Sequence, residues 1–138
     1  ATLWTNFGED LITEELAKKY INDFSRTKIT PHDMKSAFYR DSEFIKYVYE
    51  RKQKKMVVAT HFMPAIELVH PIYAKSALNR YFANDLSGWM SELENVTWLY
   101  GHTHMGGDTM IGQTRCLAAP VGYPGEHQEP YKPLVFEL

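Results

Sequence analysis

Apolar positions recur at three- and four-residue spacing through the first third of the chain, then give way to short unbroken runs. Thr13-Glu14-Glu15-Leu16 reads as a helix start with Thr13 as N-cap. Leu16, Ala17, Tyr20, Ile21 and Phe24 then fall on one face, and residues 25–30 end the helix. A second helix opens at Thr30-Pro31-His32-Asp33: Thr30 caps, Pro31 suits the first helical position, and Asp33 complements the positive end of the macrodipole. Met34, Phe38, Phe44, Ile45 and Val48 make its inward stripe. The run Arg51-Lys52-Gln53-Lys54-Lys55 closes it with the charge sign a helix C-terminus favours; a nucleic-acid or phosphate patch is the other reading of that run.

Beyond residue 55 the period changes. Met56-Val57-Val58-Ala59 is a short apolar run with two β-branched residues and reads as a buried strand of a parallel sheet. Residues 72–94 read as helical in two pieces, with Leu78, Phe82, Leu86, Trp89, Met90 and Leu93 inward and a break between Asn84 and Gly88. Val96-Thr97-Trp98-Leu99-Tyr100 is a second strand. Strand, helix, strand at this spacing predicts a βαβ unit with parallel strands. Two further strands are expected at Thr109–Ala119 and Pro133–Leu138, joined by a turn-rich loop from Pro120.

Hydrophobic residues make up 44% of the 138 positions and charged residues 23%, so disordered and fibrous classes are excluded and a single domain, or part of one, is expected. The net charge of −2 supplies no basic field for nucleic acid. One cysteine, Cys116, excludes an intrachain disulfide framework and fits a reducing compartment, so a cytoplasmic location is expected; mid-strand, it reads as a small core residue. No apolar run is long enough to span a membrane, and no signal-peptide pattern precedes Trp4. The first residue is Ala1, not Met, which suggests a portion of a longer chain.

Three histidines carry the candidate chemistry. His61 follows the first strand directly, and His102 and His104 follow the second in Gly101-His102-Thr103-His104. Parallel neighbours bring both groups to the C-terminal edge of the sheet, where open α/β sheets bind ligands. Residues two apart in an extended segment share a side, and Gly101, Gly106 and Gly107 let the backbone approach closely. Neutral imidazole is a common ligand for Zn, Mn or Fe, so the three form a metal-site hypothesis. His32, in a helix first turn, His70, before Pro71, and His127, in a loop, are read as non-catalytic.

Taken in order, these pieces resemble the C-terminal half of the calcineurin-like metallophosphoesterases. Ala1-Thr2-Leu3-Trp4-Thr5-Asn6-Phe7 is similar to the segment after that family's Gly-Asn-His motif. Val57-Val58-Ala59-Thr60-His61 with Pro64 is similar to its isolated-histidine motif. Residues 81–86 and Gly101-His102-Thr103-His104 resemble the stretch ending in its last metal motif. Asp108, Thr114-Arg115 and Pro120-Val121-Gly122-Tyr123-Pro124-Gly125-Glu126 resemble the strand and loop beyond, although Ala119 stands where an Asn is frequent. The family's carboxylate-bearing motifs (Asp-x-His, Gly-Asp-x-x-Asp, Gly-Asn-His-Asp/Glu) do not occur.

The resemblance implies an α/β fold, the C-terminal part of an α/β/β/α sandwich with a mixed sheet and flanking helices. It also implies hydrolysis of phosphate mono- or diesters by water activated at two divalent ions (Mn, Fe or Zn), with His61 and His102 on one ion and His104 on the other. Three imidazoles carry no compensating negative charge, so a homo-oligomer or a complementing N-terminal segment is expected to supply the rest. A half sandwich also leaves one sheet face bare, with residues such as Val58, Trp98 and Leu117 or their neighbours upon it. A non-catalytic remnant or interaction module of the same fold, and a mononuclear zinc hydrolase built on the three histidines, are the alternatives. Tyr73, Tyr123 and His127 are candidates to line a substrate cleft, with the substrate itself left open.

Overall fold

The computed structural model describes residues 1–51, 55–126, 131–133, 135 and 136. Helix α1 (Leu11–Tyr20) starts ahead of the expected position because Asp10 is the cap: its carboxylate accepts from the backbone N–H groups of Ile12 and Thr13 and from the Thr13 hydroxyl. Thr13 is therefore a buried partner of the cap. The predicted continuous face breaks at Ile21, whose backbone is extended, and a short helix α2 (Asn22–Arg26) follows. Tyr20 is consequently exposed, while Ile21 and Phe24 still pack beside Phe7, Met34, Phe62 and Tyr81.

Helix α3 (Pro31–Glu50) begins as the sequence predicts, with a reciprocal capping box between Thr30 and Asp33 and Pro31 in the first turn. Met34, Phe38 and Ile45 are buried, but Phe44 is 62% exposed. Six residues past Phe38 lies about 240° around a helix, so Phe44 points to solvent, and Ser42 occupies the inward position with its hydroxyl donating to the Phe38 carbonyl. Residues 52–54 of the basic run lie outside the described residues.

Strands β1 (Met56–Ala59), β2 (Val96–Leu99), β3 (Gly107–Ile111) and β4 (Thr114–Ala118) form one mixed sheet in the order β1-β2-β4-β3. β1, β2 and β4 run parallel and β3 is antiparallel. The single strand expected over Thr109–Ala119 is thus a hairpin, turned at Gly112 with φ 56°. Pro133, Val135 and Phe136 are not in a strand, and the rest of that predicted segment lies outside the described residues.

Between β1 and β2 the chain is less helical than its periodicity predicts. Only α4 (Asn79–Phe82) and α5 (Ser87–Met90) form, with single 3-10 turns at Ile66–Leu68 and Pro71–Tyr73. The expected break lies between α4 and α5 and is fixed by tertiary bonds: Asn84 N–H donates to the Met63 carbonyl and Leu86 N–H to the Pro64 carbonyl. The apolar spacing survives, with Met90 and Leu93 buried and Phe82, Leu86 and Trp89 packed on the core.

One sheet face carries the main core. Val58, Trp98 and Cys116 are in register across it, packed with Phe38, Ile45 and Met90. Val58 and Trp98 are therefore covered, and Leu117, on the other face, is 1% exposed, so of the expected bare set only the neighbours remain. The bare positions are their neighbours. Val57 and Met110 share the second face and are 42% and 55% exposed, and Ala59 is exposed as well. β1 is accordingly an edge strand open on one side rather than a fully buried one. Among the described residues, no helix is long and apolar enough to cross a membrane.

Candidate functional site

Topology places the ends of β1, β2 and β4 at one edge of the sheet, and the segments leaving them build the site. The turn after β1 is pinned from inside. The Thr60 hydroxyl donates to the Phe62 carbonyl and accepts from the Trp98 indole N–H. From outside, the Thr2 carbonyl accepts from the His61 and Phe62 N–H groups. His61 is left exposed at the rim.

The turn after β2 docks directly on it. Gly101 N–H donates to the His61 carbonyl at 3.0 Å. A Cβ at Gly101 would sit 3.3 Å from that carbonyl oxygen and 3.4 Å from His61 Nδ1, so the glycine permits the approach. His102 follows with φ 54°, in the left-handed region. Its ring stacks on His61 at 4.6 Å between centroids and 29° between planes. Phe62 at 4.3 Å and Phe82 at 4.9 Å pack edge-on around it. Strain of this kind in a non-glycine residue persists where surrounding packing enforces it, and it clusters at functional sites.

Burial, reinforced by His61 and His104 and opposed by Asp23, lowers the His102 pKa to about 4. The ring is neutral near pH 7, the form that ligates metals. Its Nδ1 is buried without a hydrogen-bond partner, an unspent polar atom in an otherwise aromatic cage. Asp23 also accepts a 2.8 Å hydrogen bond from the Tyr81 hydroxyl beneath the cage.

His104 faces a different partner. Its Nδ1 lies 2.9 Å from Glu126 Oε1 and 2.8 Å from Oε2, and the Tyr123 ring meets it edge-on at 4.5 Å. All three histidines line one cavity of ≈ 690 Å³, together with Met63, Val69, His70, Tyr73, Phe82 and Tyr123. Among the described residues, no Asp, Glu, Lys or Arg lines it.

Sequence reasoning thus located the edge and the histidines that share it. Tyr73 and Tyr123 line this cavity; His127 lies outside the described residues. His70 lines it too, its Nδ1 accepting from the Ile72 N–H, whereas His32 is exposed in the first turn of α3. Cys116 is fully buried, and burial pushes its thiol up to about 12, so it is an inert core residue. Glu126 and Asp23 are the acids that periodicity does not reveal. The signal for Glu126 is its place in the Gly-Tyr-Pro-Gly-Glu turn, where a carboxylate can bond back to the backbone three residues earlier.

The donors suit a metal only in part. Neutral imidazoles at a shared cavity are appropriate ligands, but among the described residues no group of three or more His, Cys, Asp and Glu is gathered closely enough to hold an ion. Two rings stack on each other and the third is bonded to Glu126, so the tetrahedral three-histidine arrangement of a single zinc is not formed by these side chains. No family model and no solved structure matches the chain. Over 120 residues it is 29% identical to an uncharacterized protein of Acanthamoeba polyphaga mimivirus, a match covering 75% of this chain and 42% of that protein. The chain therefore spans less than half the length of this curated relative.

Proposed function

We propose that this chain is the histidine-bearing C-terminal part of a calcineurin-like metallophosphoesterase and contributes to hydrolysis of phosphate mono- or diesters. The observation that carries the reading is the convergence of His61 and His102, distant in sequence, at 4.6 Å on the rim of a cavity that His104 also lines. His61 and His102 would hold one divalent ion and His104 a second. Ions in such sites supply Lewis acidity toward water and the phosphoryl oxygens.

The chain's own residues do three things in this scheme. The bond between Gly101 and His61 locks the two ligand turns together. The aromatic cage keeps His102 neutral. The described lining around Tyr73 and Tyr123, largely aromatic and apolar, shelters the ester arm from water. The anionic ligands come from elsewhere, from a complementing N-terminal segment or a second copy, which would also build the second sheet of the sandwich on the bare face. The same scheme puts the protein in the cytoplasm, where Cys116 stays a buried thiol.

A second reading has its own support. His102 is packed among Phe62, Phe82 and Tyr81 much as a core aromatic would be, which suits a non-catalytic interaction module of the same fold. Metal uptake separates the two. The phosphoesterase reading expects Mn²⁺ or Zn²⁺ binding by the chain that is lost in His61→Ala and His104→Ala. It also expects hydrolysis of bis(p-nitrophenyl) phosphate that rises steeply once the carboxylate-bearing half is added. Uptake indistinguishable between the wild type and both variants would favour the module.

A further inference from the structure

The acid on His104 has no assigned part in the scheme above, and its surroundings are specific. Glu126 is held by its own turn: Tyr123 N–H donates to Glu126 Oε2 at 2.7 Å, and Glu126 N–H donates back to the Tyr123 carbonyl at 3.0 Å. Gly122 and Gly125, with φ 71° and 81°, give the turn its path. The Tyr123 ring closes on the His104 imidazole from the side. Backbone, carboxylate and ring thus fix one orientation of His104, and all three constraints come from four consecutive residues, Tyr123 to Glu126.

We propose that Glu126 is a positioning residue that selects the tautomer of His104. An ionised carboxylate only accepts hydrogen bonds, so the proton of the neutral ring must sit on Nδ1, between the two Glu126 oxygens. Nε2 is then the lone-pair nitrogen. A carboxylate behind a ligating histidine sets the tautomer and raises the basicity of the ligand atom. The charge also matters for the wider site: Glu126 offsets part of a cation's charge at a cavity that no carboxylate lines among the described residues. The ion-ligating part of this inference rests on the phosphoesterase reading; the tautomer does not.

The test separates them. Nitrogen and proton NMR of His104 in the metal-free chain, at mildly alkaline pH where free imidazole is neutral, is expected to show the Nδ1–H form. Glu126→Gln keeps the side-chain shape but can offer Nδ1 a donor as well as an acceptor, so it should shift the ring toward the Nε2–H form; Glu126→Asp should retain the Nδ1–H form in part. Zn²⁺ affinity, measured by calorimetry on the same samples, should fall roughly 10–100-fold in Glu126→Gln. A wild-type ring in the Nε2–H form, or one unchanged by Glu126→Gln, overturns the proposal, as does a normal shift of tautomer with unchanged Zn²⁺ affinity. If neither protein takes up Zn²⁺, the metal reading fails and the NMR result decides the tautomer lock alone.

Discussion

Asn84 is 1% exposed and joins three segments of chain. Its Nδ2 donates to the Trp4 carbonyl at 2.8 Å, with longer contacts to the Leu3 and Met63 carbonyls, and its Oδ1 accepts from Asn6 N–H. The N-terminal segment it clamps is the one whose Thr2 carbonyl supports the His61 turn. Removing the amide strands buried backbone groups, each costing about 1–3 kcal/mol. Asn84→Ala is expected to lower stability by about 2 kcal/mol or more in urea denaturation. A loss below about 0.5 kcal/mol, the range of an ordinary surface change, would show that the clamp is not needed.

At the scale of elements, α1 and α3 are coupled by charge. Lys35 Nζ on α3 lies 2.6 Å from Glu14 Oε2 on α1, and Lys18 adds a second contact at 3.3 Å. The hydrogen bond from Lys35, with a smaller one from Lys18, holds the Glu14 carboxyl below its ordinary value of 4.5. A depressed carboxylate pKa in the folded state contributes stability that is complete above the unfolded value and vanishes as pH falls through the folded one. Folding should therefore weaken on acidification below about pH 4.5. Glu14→Gln should flatten that acid limb in pH-dependent urea melts while Glu15→Gln, on the exposed side of α1, leaves it in place. Equal slopes in wild type and Glu14→Gln would refute the coupling.

The whole molecule has one well-covered sheet face and one that presents Val57, Ala59 and Met110. The ion pair between Arg115 and Asp108, 2.6 Å at its shorter contact, lies on that second face with Thr97. Exposed apolar groups on an edge-bearing sheet favour association. Sedimentation velocity is expected to show the 16.0 kDa chain in a concentration-dependent equilibrium with larger species. Val57→Lys combined with Met110→Lys should shift it to monomer without lowering the melting midpoint. A wild-type chain that stays monomeric at every concentration would count against a covered second face.

Local signals were enough for part of this protein. The α3 start is legible because Thr30, Pro31 and Asp33 act within one turn. β1 and β2 are legible because short β-branched or aromatic runs end in glycine or a turn, and their parallel pairing follows from the segment between them. With both strands known, His61 and the pair His102 and His104 had to share one edge. The break between Asn84 and Gly88 was legible too, but only tertiary structure could shorten the two pieces to α4 and α5, since the Asn84 and Leu86 N–H groups bond to the distant Met63 and Pro64 carbonyls. Tertiary structure alone turned the run Thr109–Ala119 into a hairpin, put Val58 and Trp98 under cover while leaving Val57 bare, sank His102 among aromatic rings and brought Glu126 to His104. The reason is physical: capping and periodicity act over a few residues and are written in neighbouring letters, whereas burial and the pairing of polar groups depend on which distant segment arrives to cover or bond them.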